Sequence, residues 1–232
     1  MKALVPAAGI LSCLLMADPG VAMAQTSRLL DEGTLIIMIN NSVIGNERFE
    51  LRAGRGNDTA GFTVRSTASY PPDAPMDRLA AVVEFDTDSL PTGAQFDLGG
   101  VEQRRTLIDI GARRITIRIV SPTGEEWGEH RRRAPVLFLI DSIFAQYIMP
   151  PRTSSATFHG ITSAGRVYRR VTVRDGGLVR TRVGTTQRAL RLVTIAGEPN
   201  ELLLYYDERG RLIKLEVPGR ALLVVRAAAL RR

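Results

Sequence analysis

Residues 166–183, RVYRRVTVRDGGLVRTRV, carry arginine at 166, 169, 170, 174, 180 and 182. A guanidinium presents its donors as a planar fork that grips phosphate or carboxylate through two parallel hydrogen bonds. Alternation puts Arg166, Tyr168, Arg170, Thr172 and Arg174 on one side of a strand and Val167, Arg169, Val171 and Val173 on the other. After Asp175-Gly176-Gly177, which reads as a turn, Arg180 and Arg182 oppose Val179, Thr181 and Val183. If the two strands pair, Arg170, Arg174, Arg180 and Arg182 share one ribbon, with Tyr168 as a stacking surface. Arg166, Tyr168, Arg170, Arg174, Arg180 and Arg182 are thus the candidate residues for an anionic group. The competing explanation is a half-exposed strand, in which arginine or threonine alternates with valine and blunts aggregation.

Catalytic patterns are thin. Leu107-Ile108-Asp109-Ile110-Gly111-Ala112 resembles the turn of aspartic proteases, but Ile110 stands where a hydroxyl belongs. A second apolar-apolar-Asp, Leu139-Ile140-Asp141, lacks the following glycine. Those enzymes need two carboxyls sharing one proton. The two histidines, His130 and His159, come without a Gly-x-Ser-x-Gly elbow. Glu125, Glu126 and Glu129, like Asp207 and Glu208, sit in or beside turns, where acidic side chains serve solubility. The sequence predicts no catalytic residue, no cofactor and no metal site; a hydrolase using Asp109 is the most distant reading.

The N-terminus bounds where such a protein would work. Lys2 precedes an apolar run from 3 to 16, Asp18-Pro19-Gly20 breaks it, and Ala22-Met23-Ala24 offers small residues for cleavage. This predicts a secretory signal peptide over 1–24 and one β-rich domain over 25–232, periplasmic or secreted. The run is too short for a membrane span. The single cysteine, Cys13, falls within that leader, so no disulfide or thiolate ligand is expected after cleavage. The net charge is +7. Export removes nucleic acid as a partner and leaves lipid headgroups or anionic envelope polymers, with peripheral membrane contact open.

The elements that must position these arginines are strands. From residue 34 onward hydrophobicity alternates with period two, and turn residues recur every eight to twelve positions. The run at 34–39 (TLIIMI) is apolar on both faces and reads as a central strand. Ala81, Val83 and Phe85 share a face, as do Ile115, Ile117 and Ile119. Asp207-Glu208-Arg209-Gly210 is a hairpin turn between two strands. The solid apolar run at 135–140 predicts a buried strand. Residues 141–149, after Asp141 or Ser142 as N-cap, predict a short helix that plugs or lids the sheet. The fold class is mainly β: a curved antiparallel sheet, barrel or half-barrel.

Three segments carry a resemblance: GTLIIMINNSVIGNERFEL, APVLFLIDSIFAQYIM and YYDERGRLIKLEVPGRALLVV. Together they resemble exported bacterial β-rich proteins of unknown function. The resemblance implies a curved antiparallel sheet, somewhat similar to periplasmic lipoprotein-carrier folds, and no catalytic residue. The expected function is a non-enzymatic envelope protein binding a lipid or other anionic amphiphile on its curved sheet. The alternative is a structural or interaction module for envelope assembly.

Overall fold

The computed structural model describes residues 27–55, 58–72, 76–100, 103–150, 155–197 and 200–230. The leader expected over 1–24 lies outside the described residues. Alternating apolar residues form strands at Leu29–Ile39 (β1), Ser42–Arg55 (β2), Asp58–Tyr70 (β3), Asp77–Phe85 (β4) and Pro91–Leu98 (β5). Arg104–Ile110 (β6), Arg114–Ser121 (β7), Gly124–Arg131 (β8), Val136–Phe138 (β9) and Ser155–Ile161 (β10) follow. The chain ends with Val167–Val183 (β11), Thr186–Ala196 (β12), Leu202–Tyr206 (β13), Leu212–Val217 (β14), Leu222–Arg226 (β15) and a helical turn, Ala227–Leu230 (α1).

All these strands join one curved sheet, ordered β8-β7-β6-β5-β4-β3-β2-β1-β15-β14-β13-β12-β11-β10-β9. Most sequence neighbours pair antiparallel, β1 pairs β15 to join the two halves, and β8 and β9 lie at the two ends of the sheet. The run at 34–39 is central, as its two apolar faces predict: Leu35 and Ile37 are buried in the interior and Met38 packs into a cluster outside. One pair breaks the antiparallel rule, since β9 lies parallel to β10. Local chemistry makes the short connections. Asn40 and Asn41, at φ 49° and 65°, form the left-handed turn from β1 to β2. The Asp207 carboxylate accepts the Arg209 and Arg211 N–H groups at 3.0 and 2.9 Å in the turn from β13 to β14.

The sheet rolls up without closing. Its β9–β10 end tucks beneath β5–β7: Phe138 meets Phe96 edge to face at 5.5 Å, and the Thr106 hydroxyl donates to the Ser163 carbonyl at 3.0 Å. The other end, β8, is left as an open edge.

The chain itself fills the concavity. After β9, Leu139, Ile140, Ile143, Phe144, Tyr147 and Ile148 are buried in one cluster with Leu35, Phe49, Val83, Phe96 and Leu204 of the surrounding strands. Each such side chain contributes about 1.5–3 kcal/mol on burial. The short helix expected at 141–149 is a single 3-10 turn, Ala145–Tyr147, within this plug. Neither Asp141 nor Ser142 caps it: Phe144 is the N-cap residue, with no side-chain cap of its own. The buried N–H groups at its start are met from across the interior instead, by Glu47 of β2. An irregular backbone buried this deeply must have its polar groups satisfied by the walls around it.

Candidate functional site

β11 and β12 form a long hairpin, paired from Thr172–Ala196 out to Val183–Thr186, with Gly184 at φ 59° in the turn. Asp175-Gly176-Gly177 is therefore not a turn. It is a bulge: Asp175 pairs with Val193, Gly177 with Leu192, and Gly176 is left over. Gly177 takes φ 70° and its N–H donates to Asp175 Oδ1 at 3.0 Å. One inserted residue exchanges the two faces of a strand. Before the bulge Val171 and Val173 face the core while Arg170, Thr172 and Arg174 face out. After it, Val179, Thr181 and Val183 continue the outer side, and Leu178, Arg180 and Arg182 take the opposite one.

This exchange lets the distal hairpin fold as a flap over the outside of the sheet. Val183 and Leu190 bury themselves against Tyr205, Ile213, Val225 and Ala229, with Val179 and Leu192 beside them. Lys214 ties the flap down: its Nζ donates to Thr181 Oγ1 at 3.0 Å and to the Arg182 carbonyl at 3.2 Å, and pairs with Glu216 at 2.7 Å. The Tyr205 hydroxyl donates to the same Glu216 at 2.8 Å. With one face docked, the other carries Leu178, 79% exposed, and the exposed Arg180 and Arg182.

The six candidate residues are thus divided. Arg170 and Arg174 are exposed on the outer wall; Arg180 and Arg182 lie on the solvent face of the flap, across the bulge from them. A further irregularity between Phe158 and Gly160 sets Tyr168 opposite Gly160, and Tyr168 packs half-buried against the core rather than beside the arginines. Arg166 lies exposed just before β11, its N–H donating to Thr162 Oγ1 at 3.2 Å. Among the described residues, no hydrogen bond or ion pair engages the Arg180 or Arg182 guanidinium. Arg188 and Arg191 are occupied: the first donates to the Ala229 carbonyl at 3.2 Å, the second to Asp175 at 2.7 Å. Asp109 is exposed on β6, while Asp141 pairs with Arg220 at 2.7 Å.

Sequence reasoning missed the residues that hold the plug. Glu47, fully buried, accepts the Phe144 N–H at 2.7 Å and the Ala145 N–H at 3.1 Å. Burial pushes its carboxyl up to about 7, against the pull of the Ser66 hydroxyl and those two N–H groups. Tyr70 donates to the Ser142 carbonyl and Tyr206 to the Tyr147 carbonyl, each at 2.7 Å, and Tyr147 donates to the Phe138 carbonyl at 3.0 Å. Burial raises all three phenols well above the usual tyrosine range, so they stay neutral donors. A cavity between the plug and β13–β14, lined by Leu139, Phe144, Tyr147, Leu202, Val217 and Arg220, holds about 20 Å³. That is room for about one water molecule. In the sequence, only a glutamate at an inward parity of an apolar strand marked the latch.

With that geometry in hand, comparison with solved structures gives a match to the crystal structure of a β-barrel-like protein of domain of unknown function DUF1849 from Brucella abortus. The TM-score is 0.51 at 10% sequence identity, over 86% of this chain and 96% of that one. The fold is β-barrel-like. The likeness reaches no further than the fold. No protein-family model matches the sequence, and no curated protein matches it significantly.

Proposed function

We propose that this is an exported, non-enzymatic envelope protein that holds to anionic lipid surfaces with the solvent face of its β11–β12 flap. The observation that carries the reading is the row Leu178, Arg180, Arg182: one apolar side chain and two guanidiniums unengaged among the described residues, two residues apart, on a face whose reverse side is docked. A basic surface with an apolar side chain is what an interfacial contact uses, the apolar group entering the headgroup boundary and the cations meeting phosphate. The net charge of +7 favours approach to such a surface. The leader expected at 1–24 would bring the chain to the envelope. The concavity, filled by the plug, leaves the outside of the sheet as the place of contact.

Flotation of the chain over residues 25–232 with vesicles of phosphatidylglycerol and phosphatidylcholine tests this. Each basic side chain at such a surface contributes about 1 kcal/mol. The protein should float with phosphatidylglycerol vesicles, not with phosphatidylcholine alone, and lose binding as salt rises. R180E/R182E should abolish flotation while keeping the parent's thermal midpoint. Equal flotation of parent and variant, or none by the parent at low salt, would overturn the reading.

A further inference from the structure

The open edge of the sheet points to a second partner, independent of the flap. β8 reads Gly-Glu-Glu-Trp-Gly-Glu-His-Arg, is hydrogen-bonded among the described residues to β7 on one side only, and seven of its eight residues are exposed. Such a strand presents a row of free backbone donors and acceptors to any strand that can lie beside it. Charged side chains on an edge ordinarily discourage this. Here their order does something more particular: the acidic pair Glu125-Glu126 precedes Gly128, and the basic pair His130-Arg131 follows it.

We infer that β8 pairs antiparallel with β8 of a second copy of this chain, about a two-fold axis at Gly128. In that register Glu125 faces the partner's Arg131, Glu126 faces the partner's His130, and Trp127 faces the partner's Glu129. No like charges meet. A two-fold axis normal to the sheet allows only shifts that keep residues on their own face, which means moving the axis by one residue along the strand. Moved to Trp127, it sets Glu125 against the partner's Glu129 twice over; moved to Glu129, it sets the two Glu129 carboxylates against each other. Directly opposed like charges destabilise a strand pair. Of these three registers, the one about Gly128 is free of that cost.

Two other features fit the same partner. Within one copy Arg131 sits directly opposite Arg114 of β7, whose guanidinium pairs with Glu129 at 3.3 Å, and the partner's Glu125 would stand on the other side of Arg131. Trp127, 72% exposed, is one of the most exposed apolar side chains of the fold. Across the two-fold axis the two Trp127 side chains become diagonal neighbours on one face, a separation that aromatic rings can bridge. The dimer thereby covers an indole that a single copy leaves in water, and the sheet continues without a break from one copy into the next.

Trp127 is the sole tryptophan of the chain, so its fluorescence reports on this edge alone. Sedimentation and fluorescence of the chain over residues 25–232 should show a dimer at high protein concentration. The emission maximum should shift to shorter wavelength as the dimer forms. E125R/E126R makes the charges of the strand mainly positive, and H130E/R131E makes them all negative; each variant alone should associate at least tenfold more weakly than the parent. An equimolar mixture of the two variants should restore a dimer, since a positive edge then meets a negative one. A parent that stays monomeric at high concentration overturns the inference, as does variant self-association equal to the parent's. A mixture of folded variants that fails to associate also overturns it.

Discussion

Glu47 on β2 accepts the backbone N–H of Phe144 at 2.7 Å, joining positions 97 residues apart across the inside of the sheet. That bond does the work of an N-cap without belonging to the segment it caps. Burial holds the carboxyl up to about 7, above its ordinary value near 4.5. The folded state therefore keeps a proton that the unfolded chain gives up, so this group's contribution is fully present below about 4.5 and is lost as pH rises through 7. Denaturant titrations of the native chain should lose up to about 3 kcal/mol across that window. Glu47→Gln should flatten the slope, and an unchanged slope in that variant would place the titrating group elsewhere.

The phenol of Tyr206 supports the same plug from β13. Removing it with Tyr206→Phe leaves the buried Tyr147 carbonyl without its donor, which costs about 1–3 kcal/mol. Urea unfolding should show that loss with an unchanged denaturant slope. Loss of less than about 0.5 kcal/mol would mean that the carbonyl finds another partner.

How much of this was legible beforehand can be argued strand by strand. β13 and β14 follow from the apolar runs on either side of Asp207-Glu208-Arg209-Gly210, because strong turn chemistry joins strong periodicity. The central place of β1 follows from its two apolar faces. The arginine ribbon failed at Gly176, where one inserted residue reverses every face beyond it, and at Tyr168, where a second irregularity turns the ring toward the core. Parity read along a sequence assumes that no residue is inserted. The plug was visible as an apolar run, but Glu47 was not visible as its cap, since nothing local links residue 47 to residue 144.

Where the two halves of the sheet meet, Arg226 of β15 grips Asp31 of β1 through bonds of 3.0 and 2.6 Å, donates to the Leu212 carbonyl at 3.0 Å and lies over the Phe49 ring at 5.0 Å. Both charged side chains are largely buried. Taking away one partner strands the other, which typically costs 3–5 kcal/mol. Asp31→Ala should lower stability by about 3 kcal/mol in chemical denaturation, and a change under about 1 kcal/mol would show that water already reaches the guanidinium.

The flap itself should detach from its bed when its anchor is shortened. Lys214→Ala removes the bonds to Thr181 and to the Arg182 carbonyl, while Val183 and Leu190 keep their apolar contacts. Faster amide exchange confined to 178–190, with the plug unaffected, is the expected signature. Uniformly faster exchange would instead make the flap part of the global fold.

The claim that matters most is that contact with an anionic surface occurs outside the sheet while the inside stays filled. Amide hydrogen exchange of the chain with and without phosphatidylglycerol vesicles measures both at once. The expected result is slower exchange at 176–184 on adding vesicles, with Phe144, Ala145 and Ile148 equally slow in both states. Vesicles that speed exchange at 143–148 would show the plug leaving and the concavity taking the lipid, and would contradict the account.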